Sequence, residues 1–416
     1  MGEARFFSRI ITAYLIIIAF GYWLDFLNLA HLKRHGSIIP HEFTGQIDKA
    51  LLSKTRDYTV ETTKFGILSS VFNNAVFLVF ILVLLNIYNT WIASLNVSFI
   101  LTGLVFFLVM TYAETVISIP FSLYSTFKIE NKYGFNTMTA KLWIADTLKS
   151  LFISTILLGL LISAGLFIVQ KSHDWWWLWV WSFFLAFSIF MMYISPYVIE
   201  PLFHKFTPIE DEKLEAGVRD LMNKVGIRVS RVFTMDASKR TKHTNAYFTG
   251  IGKVKRIVLY DTLIEKMDYD EIMSILAHEA GHWKKKHILK SIIITEAIAL
   301  VVIYVAFHLM QSNVLLEIFH IETESFFAKL IILGFIGSIV SFPLSPLFNW
   351  YSRKNEKVAD IYSYELTGNK ESMISALVKL SKDNLSNLHP HPLYALFHYS
   401  HPPVLERIRN IRNYKV

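Results

Sequence analysis

The chain has 416 residues, of which 53% are hydrophobic and only 18% are charged, and its mean hydropathy is +0.40. Soluble domains are roughly 25% charged and disordered chains are poor in aromatic residues, so this composition disfavours a purely soluble protein and excludes a disordered one. The net charge is +8. In so apolar a chain this excess indicates basic cytoplasmic loops that contact anionic lipid, and not binding to nucleic acid. The sequence contains no Cys, which excludes disulfides, Cys-ligated zinc and thiol catalysis.

Seven apolar segments predict membrane-spanning helices, because about 20 helical residues cross the hydrocarbon core of a bilayer. In chain order they are Ile10–Leu29, Gly66–Ile87, Ser98–Ile119, Leu151–Val169, Trp175–Ile199, Ser291–Met310 and Leu330–Trp350. Lys and Arg are frequent in the first and third connections, whereas the second and sixth contain none. The positive-inside rule therefore predicts that the odd connections face the cytoplasm and that the amino terminus lies outside.

Two further regions are polar enough to face water, and both are predicted to be cytoplasmic. The first, Glu200–His287, predicts a helix over Asp211–Val225, strands over Val229–Met235 and Arg256–Tyr260, and a second helix from Tyr269 onward. The second, residues 351–416, is typical of a helix, a His- and Pro-rich loop and a short basic helix. Each is small for an independent domain, so we expect the two regions to fold against one another.

The string HEAGH, His278–His282, contains the spacing of a metal site. On a helix the two His side chains lie on one face, so both rings reach one cation, and Glu279 projects beside that face as a base for water. Gly281 lowers helix propensity but permits close approach of another backbone. The alternative interpretation is a pair of histidines satisfied by local hydrogen bonds.

Catalytic zinc needs a third protein ligand and an open fourth position. His287 is a poor candidate, because a continuous helix places it off the ligand face. The segment SRKNEKVAD, Ser352–Asp360, is a better one, since Glu356 and Asp360 are again four residues apart on a predicted helix. Glu356 is then the predicted ligand, and Asp360 accepts the remaining N–H of a ligand His. Alone, this segment is more typical of a solvated charged helix face than of a metal site.

The whole chain resembles the type 1 CAAX prenyl proteases, which are integral-membrane zinc metalloproteases with seven transmembrane helices. The motifs that carry the resemblance, in family order, are PFSLYSTFKIENKYGFN (Pro120–Asn136), ISPYVIEPLFHKFTPIED (Ile194–Asp211), TNAYFTGIGKVKRIVLYDTL (Thr244–Leu263), AHEAGH (Ala277–His282), SRKNEKVAD and HPLYALFHYSHPPVLERI (His391–Ile408). Several motifs in one order are far more specific than HExxH alone.

The resemblance implies a mainly α polytopic membrane protein whose seven transmembrane helices enclose a chamber, together with a zincin-like metalloprotease domain that has a small β-sheet. The implied division is residues 1–199 for helices one to five, 200–290 for the protease domain carrying HEAGH, 291–350 for helices six and seven, and 351–416 for the rest of the protease domain. The implied partners are the lipid bilayer and a peptide or protein substrate, prenylated where the host makes such proteins.

The resemblance also implies the role of each site residue. His278, His282 and Glu356 match the Zn²⁺ ligands, Glu279 the general base, and Asp360 the Asp that supports the metal site. We infer a gluzincin-type zinc metalloendopeptidase that uses these residues.

Two further residues match the part of the family site that holds substrate, and Arg407 is a third candidate. His401 matches a His that binds the substrate carbonyl or its developing oxyanion, and Asn245 matches an Asn that binds substrate backbone. Two alternatives stay open for Arg407: a role in the site, or an ion pair with Glu406 or a lipid phosphate. The strand Arg256–Tyr260 is interpreted as an edge strand beside which an extended substrate adds.

The chain lacks the long insertions of some eukaryotic members, which favours the bacterial inner membrane over the endoplasmic reticulum. A bacterial location favours membrane protein quality control over the processing of prenylated proteins. The alternative functions are a transporter or channel, and an inactive scaffold, with a protease-like cytoplasmic domain.

Overall fold

The computed structural model describes residues 2–250 and 254–415 of the chain. Its helices are α1 (Gly2–His35), α2 (Lys49–Val79), α3 (Leu85–Ser94), α4 (Phe99–Tyr124), α5 (Asn131–Tyr133), α6 (Ala140–Lys171), α7 (Trp176–Ile194), α8 (Glu200–Phe203), α9 (Glu212–Lys224), α10 (Asp261–Lys266), α11 (Tyr269–Lys284), α12 (His287–Met310), α13 (Val314–Ile318), α14 (Phe326–Ser341), α15 (Ser345–Thr367), α16 (Lys370–Asp383), α17 (Pro392–His398) and α18 (Val404–Asn413). Its strands are β1 (Phe206–Pro208), β2 (Arg228–Met235), β3 (Ala246–Thr249) and β4 (Val254–Tyr260). Residues 251–253, which belong to the motif Thr244–Leu263, lie outside the described residues.

Seven helical spans in the described chain are long and apolar enough to cross a membrane, which confirms the predicted number. They are Ala4–His35, Lys49–Ser94, Phe99–Tyr133, Ala140–Lys171, Trp176–Phe203, His287–Met310 and Phe326–Thr367. Several extend well beyond the predicted apolar segments, because the helices continue into polar sequence after the hydrophobic run ends. The second span has 46 residues, far more than the roughly 20 that a bilayer needs.

The spans are arranged as a closed ring. Neighbouring contacts run from α1 to α2, from α3 to α4, then to α6, α7, α12 and α14, and from α14 back to α1. At most 11% of the residues in each apolar window are buried. Most side chains of these windows are therefore exposed, and few are packed tightly between neighbouring helices.

The four strands form one mixed sheet in the order β1-β2-β4-β3. Strand β4 pairs in parallel with β2 and antiparallel with β3, and its residues Ile257, Val258 and Leu259 are fully buried. The prediction that Arg256–Tyr260 is an edge strand is therefore wrong. The edge strand beside β4 is β3, which has only four residues and no alternating pattern that the sequence could reveal.

The water-facing regions pack together as expected. Helix α9 coincides with the predicted helix Asp211–Val225 to within one residue at each end, and the Asp211 side chain caps its first turn. Helix α11 begins with a reciprocal capping box, in which Asp268 and Glu271 each bind the other's backbone N–H. One hydrophobic core joins α9, α11, the sheet and α16, so segments far apart in sequence form a single folded unit.

Helices α11 and α15 approach each other unusually closely. A Cβ atom on Gly281 of α11 would lie 3.2 Å from the Cα of Ala359 and 3.2 Å from the Cβ of Tyr362, both on α15. The absence of a side chain at Gly281 is what permits this approach. The contact brings the HEAGH turn of α11 against the SRKNEKVAD turn of α15.

Candidate metal centre

The two helices place three metal-ligating side chains around one point. Nε2 of His278 lies 3.1 Å from Nε2 of His282, since the two residues are one helical turn apart on α11. From α15, Oε2 of Glu356 lies 3.3 Å from Nε2 of His278, and Oε1 lies 3.2 Å from Nε2 of His282. Within the described residues, these three form the one group of His and acidic side chains whose ligand atoms all converge within 4.8 Å.

This arrangement fits a small tetrahedral cation. Two ligands at 2.0–2.1 Å from a tetrahedral centre are about 3.3 Å apart, close to the separations between these donors. Oε2 of Glu356 is buried and has no hydrogen-bond partner among the described residues. A buried, unpaired carboxylate oxygen is costly, and a bound cation removes that cost. Two imidazoles and one carboxylate also form the ligand type of catalytic zinc sites.

Asp360 supports the site from the side of His278. Its Oδ1 makes a short (2.9 Å) but bent contact with Nδ1 of His278, a nitrogen that has no well-aligned hydrogen-bond partner. Arg407 of α18 binds the same carboxylate with two hydrogen bonds, of 2.6 and 2.9 Å. The salt bridge of Arg407 is therefore with Asp360 and not with Glu406, so its side chain lies in the wall of the site.

The electrostatics of the site favour positive charge. Burial lowers the pKa of His278, but attraction to the carboxylates of Asp360 and Glu356 outweighs it and raises the pKa to about 9. Burial likewise lowers the pKa of Arg407, and its pairing with Asp360 more than compensates, so the net shift is upward. The two buried carboxylates therefore stabilise a positive charge at the imidazoles, whether that charge is a proton or a metal cation.

The other residues named by sequence line a cavity of about 220 Å³ beside the three ligands. Glu279, Asn245 and His401 border it together with His278 and Glu356, and its wall contains both polar and apolar side chains. Nε2 of His401 lies 3.4 Å from Oε1 of Glu356, although 61% of the His401 side chain is exposed. Asn245 is exposed directly before β3, and its own carbonyl accepts a hydrogen bond from the Tyr260 N–H. All eight residues are thus brought to one region.

One residue that sequence reasoning set aside also lies at the site. Nδ1 of His287 is 3.1 Å from Nδ1 of His282, and His287 is 6% exposed. The sequence argument assumed one continuous helix, whereas α11 ends at Lys284. Lys286 adopts the left-handed conformation with φ 56° and directs the chain back. Three successive Lys residues give no signal of such a break, so the sequence alone did not reveal it.

Two family models and one solved structure match this chain. The family model described as "CAAX prenyl protease N-terminal, five membrane helices" matches residues 28–205, and the model of peptidase family M48 matches residues 208–415. The crystal structure of S. mikatae Ste24p is similar over 97% of this chain and 98% of its own, with a TM-score of 0.90 and 31% identity.

Two related proteins are also similar to this chain over most of their length. CAAX prenyl protease 1 of Saccharomyces cerevisiae is 34% identical over 403 residues, which are 89% of this chain and 87% of the relative. The uncharacterized metalloprotease YhfN of Bacillus subtilis is 31% identical over 410 residues, which are 96% of this chain and 94% of the relative.

The ring of membrane helices and the adjoining site define an integral-membrane metalloprotease. Its cofactor is a metal, its substrate is a peptide or protein, and its surroundings are membrane lipid. The chain belongs to peptidase family M48 and carries both the M48 domain and the CAAX prenyl protease N-terminal domain.

Proposed function

We propose that the chain is a zinc endopeptidase whose metal ligands are His278, His282 and Glu356. The convergence of their donor atoms at 3.1–3.3 Å is the observation that carries the proposal. The chemistry that zinc supplies when bound is a lowering of the pKa of water from 15.7 towards about 7 and polarisation of the scissile carbonyl.

Glu279 is the general base of the proposed reaction. It follows His278 on α11, borders the 220 Å³ cavity and remains partly exposed, so it can reach both water and substrate. Its carboxylate takes the proton of the attacking water and then returns it to the leaving amine. Asp360, held by Arg407, orients the ring of His278 through the contact with Nδ1.

His401 and Asn245 bind substrate in this proposal. The exposed ring of His401, close to Glu356, is placed to donate a hydrogen bond to the carbonyl oxygen as its negative charge develops. Asn245 borders the same cavity and precedes β3, so its amide reaches the backbone of a chain lying along that strand.

An extended substrate adds beside β3, the edge strand that replaces the sequence-predicted one. Backbone hydrogen bonds to an edge strand bind a peptide with little dependence on its side chains. Peptides N-methylated at the residues that pair with β3 are expected to resist cleavage, and equal cleavage of methylated and unmethylated peptides would contradict this placement.

The two water-facing segments, 200–290 and 351–416, form the proposed protease domain, and residues 1–199 and 291–350 form the membrane domain. The domain is cytoplasmic in this proposal, because Lys and Arg are concentrated in the connections on its side of the membrane. The bacterial relative named a metalloprotease supports a bacterial inner-membrane location, and the relatives named CAAX prenyl proteases support cleavage of prenylated peptides as well. Comparing farnesylated and unmodified peptides in one assay distinguishes the two substrate classes.

The decisive experiment separates metal binding from catalysis. Glu279→Gln is expected to retain stoichiometric zinc and to lose about 10²–10⁴-fold in kcat, because it removes only the proton acceptor. His282→Ala is expected to lose both zinc and activity. Full activity of Glu279→Gln, or purified protein without zinc, would overturn the proposed function.

A further inference from the structure

The chain between α11 and α12 is built so that His287 faces back to the HEAGH turn. In an uninterrupted helix, a residue five positions after His282 lies about 140° away around the axis. Instead Lys286, with φ 56° and ψ 37°, breaks the helix immediately before His287. Non-glycine residues rarely adopt this conformation, so the turn is maintained by its surroundings.

This turn brings two imidazole nitrogens within hydrogen-bond distance of each other. Nδ1 of His287 lies 3.1 Å from Nδ1 of His282, with the rings at 77° to each other. Two nitrogens at this distance form a hydrogen bond only if one carries the proton and the other is unprotonated. Nε2 of His282 faces His278 and Glu356, so it is the nitrogen available to a cation. The proton of a neutral His282 ring is then on Nδ1, which donates a hydrogen bond to Nδ1 of His287.

We propose that His287 is a positioning residue that accepts the Nδ1–H of His282, fixing the tautomer and the orientation of that ligand. The inference rests on the proposed zinc site. Ligand histidines commonly donate their second N–H to a fixed acceptor, and loss of that acceptor weakens metal binding about 10–100-fold. Asp360 makes the corresponding contact with Nδ1 of His278. The two ligand rings of α11 are thus supported by different groups, a carboxylate for His278 and a neutral imidazole for His282.

The test compares two substitutions of the acceptor in the full-length protein. In His287→Asn the amide oxygen takes the place of Nδ1 and still accepts a hydrogen bond, whereas His287→Leu cannot accept one. Zinc affinity of each purified protein is measured by competition with a chelator of known affinity. We expect His287→Leu to bind zinc about 10–100-fold more weakly and His287→Asn to stay close to the wild-type affinity. Ile288→Ala, at the exposed neighbouring position, is the control for general effects on the turn.

Each outcome has a distinct consequence. Equal zinc affinity of His287→Leu and the wild type overturns the positioning role while the proposed site stands. If His287→Asn loses zinc as severely as His282→Ala does, His287 is a metal ligand, and the positioning role is overturned as well. Wild-type protein that binds no zinc, or His282→Ala that retains it, overturns the proposed function itself. The absorption spectrum of the Co²⁺-substituted proteins, which reports the ligand set directly, is expected to be shared by the wild type and His287→Asn.

Discussion

The ion pair between Asp360 and Arg407 is almost completely removed from solvent beside the metal ligands. The exposed fractions of the two side chains are 2% and 14%, and the carboxylate receives both hydrogen bonds of the guanidinium fork. A buried ion pair contributes little net stability, but removal of one partner leaves an uncompensated charge. The pair therefore couples the position of α18 to the geometry of His278.

Replacement of Arg407 by Met tests this coupling. We expect the free energy of unfolding to fall by up to about 3–5 kcal/mol, because Asp360 stays buried and keeps only its bent contact with His278. Unfolding of the purified full chain in detergent measures the change. Arg412→Met, at an exposed position of the same helix, is the control and should change stability by no more than about 0.5 kcal/mol. An Arg407→Met protein as stable as the wild type would show that the pair does not contribute to folding.

The residues of the candidate site were predictable where local spacing determines geometry. Four-residue spacing on a helix fixes the separation of His278 and His282, and the same spacing relates Glu356 to Asp360. The partner of Arg407 and the role of His287 were not predictable in this way. Both depend on tertiary contacts, the docking of α18 in one case and the left-handed turn at Lys286 in the other.

The contact between α11 and α15 sets the distance between the two halves of the metal centre. His278 and His282 are on one helix and Glu356 is on the other, so a change in the separation of the helices directly alters the geometry of the proposed ligands. The spacing depends on Gly281, which leaves 3.2 Å between its missing Cβ position and the backbone of Ala359.

Gly281→Ala is expected to weaken zinc binding even though Ala raises helix propensity by about 1 kcal/mol. The added methyl pushes α15 outward by a few tenths of an ångström and carries Glu356 with it, and Gly281→Val has a larger effect. Chelator competition gives the affinities. Gly334→Ala in α14, where no atom lies within 4 Å of the added methyl, is the matched control. Unchanged affinity in both Gly281 variants would mean that α15 adjusts without moving the ligand.

A second junction links the membrane helices to the edge strand. His243, two residues before Asn245, stacks on Phe135 with a ring separation of 4.1 Å. Its Nδ1 is 2.8 Å from Oδ1 of Asn384, and its Nε2 is 3.5 Å from Oε2 of Glu130 near the end of the third span. The segment that leads into β3 is thereby held by a membrane helix.

This junction predicts a pH dependence of stability. The hydrogen bond to Glu130 raises the pKa of His243, while burial and the nearby Lys266 oppose the increase. A raised folded-state pKa means that the stabilisation is fully present below the unfolded value of about 6.5 and is lost as pH rises through the folded value. The difference in melting temperature between wild type and His243→Gln should therefore be larger at about pH 6 than at pH 8.5.

Thermal unfolding at the two pH values measures this difference. His173→Gln, at an exposed position between the fourth and fifth spans, is the control and is expected to show no such trend. A constant difference across the range would indicate that His243 contributes only by stacking on Phe135.

At the level of the whole molecule, hydropathy predicted the number of spans but not their arrangement. Length and apolar composition determine which segments span the membrane, since each span must be long enough to cross the hydrocarbon core of the bilayer. Closure of the ring depends on contacts such as that between α1 and α14, which are far apart in sequence. The position of β4 inside the sheet has the same origin, because its parallel partner β2 and its antiparallel partner β3 are chosen by tertiary packing.

The absence of native Cys makes the orientation of the whole molecule directly testable. A single Cys replaces His173 between the fourth and fifth spans, or Lys224 at the end of α9, both exposed. If the positive-inside rule holds for this chain, a membrane-impermeant maleimide labels His173→Cys in intact bacterial cells. Lys224→Cys is expected to react only after the membrane is permeabilised, because the proposed location of the protease domain is the cytoplasmic side. Retained proteolytic activity confirms that each variant is folded. The reverse labelling pattern would place the metal centre outside the cytoplasm and reject the proposed location, while leaving the ligand geometry unaffected.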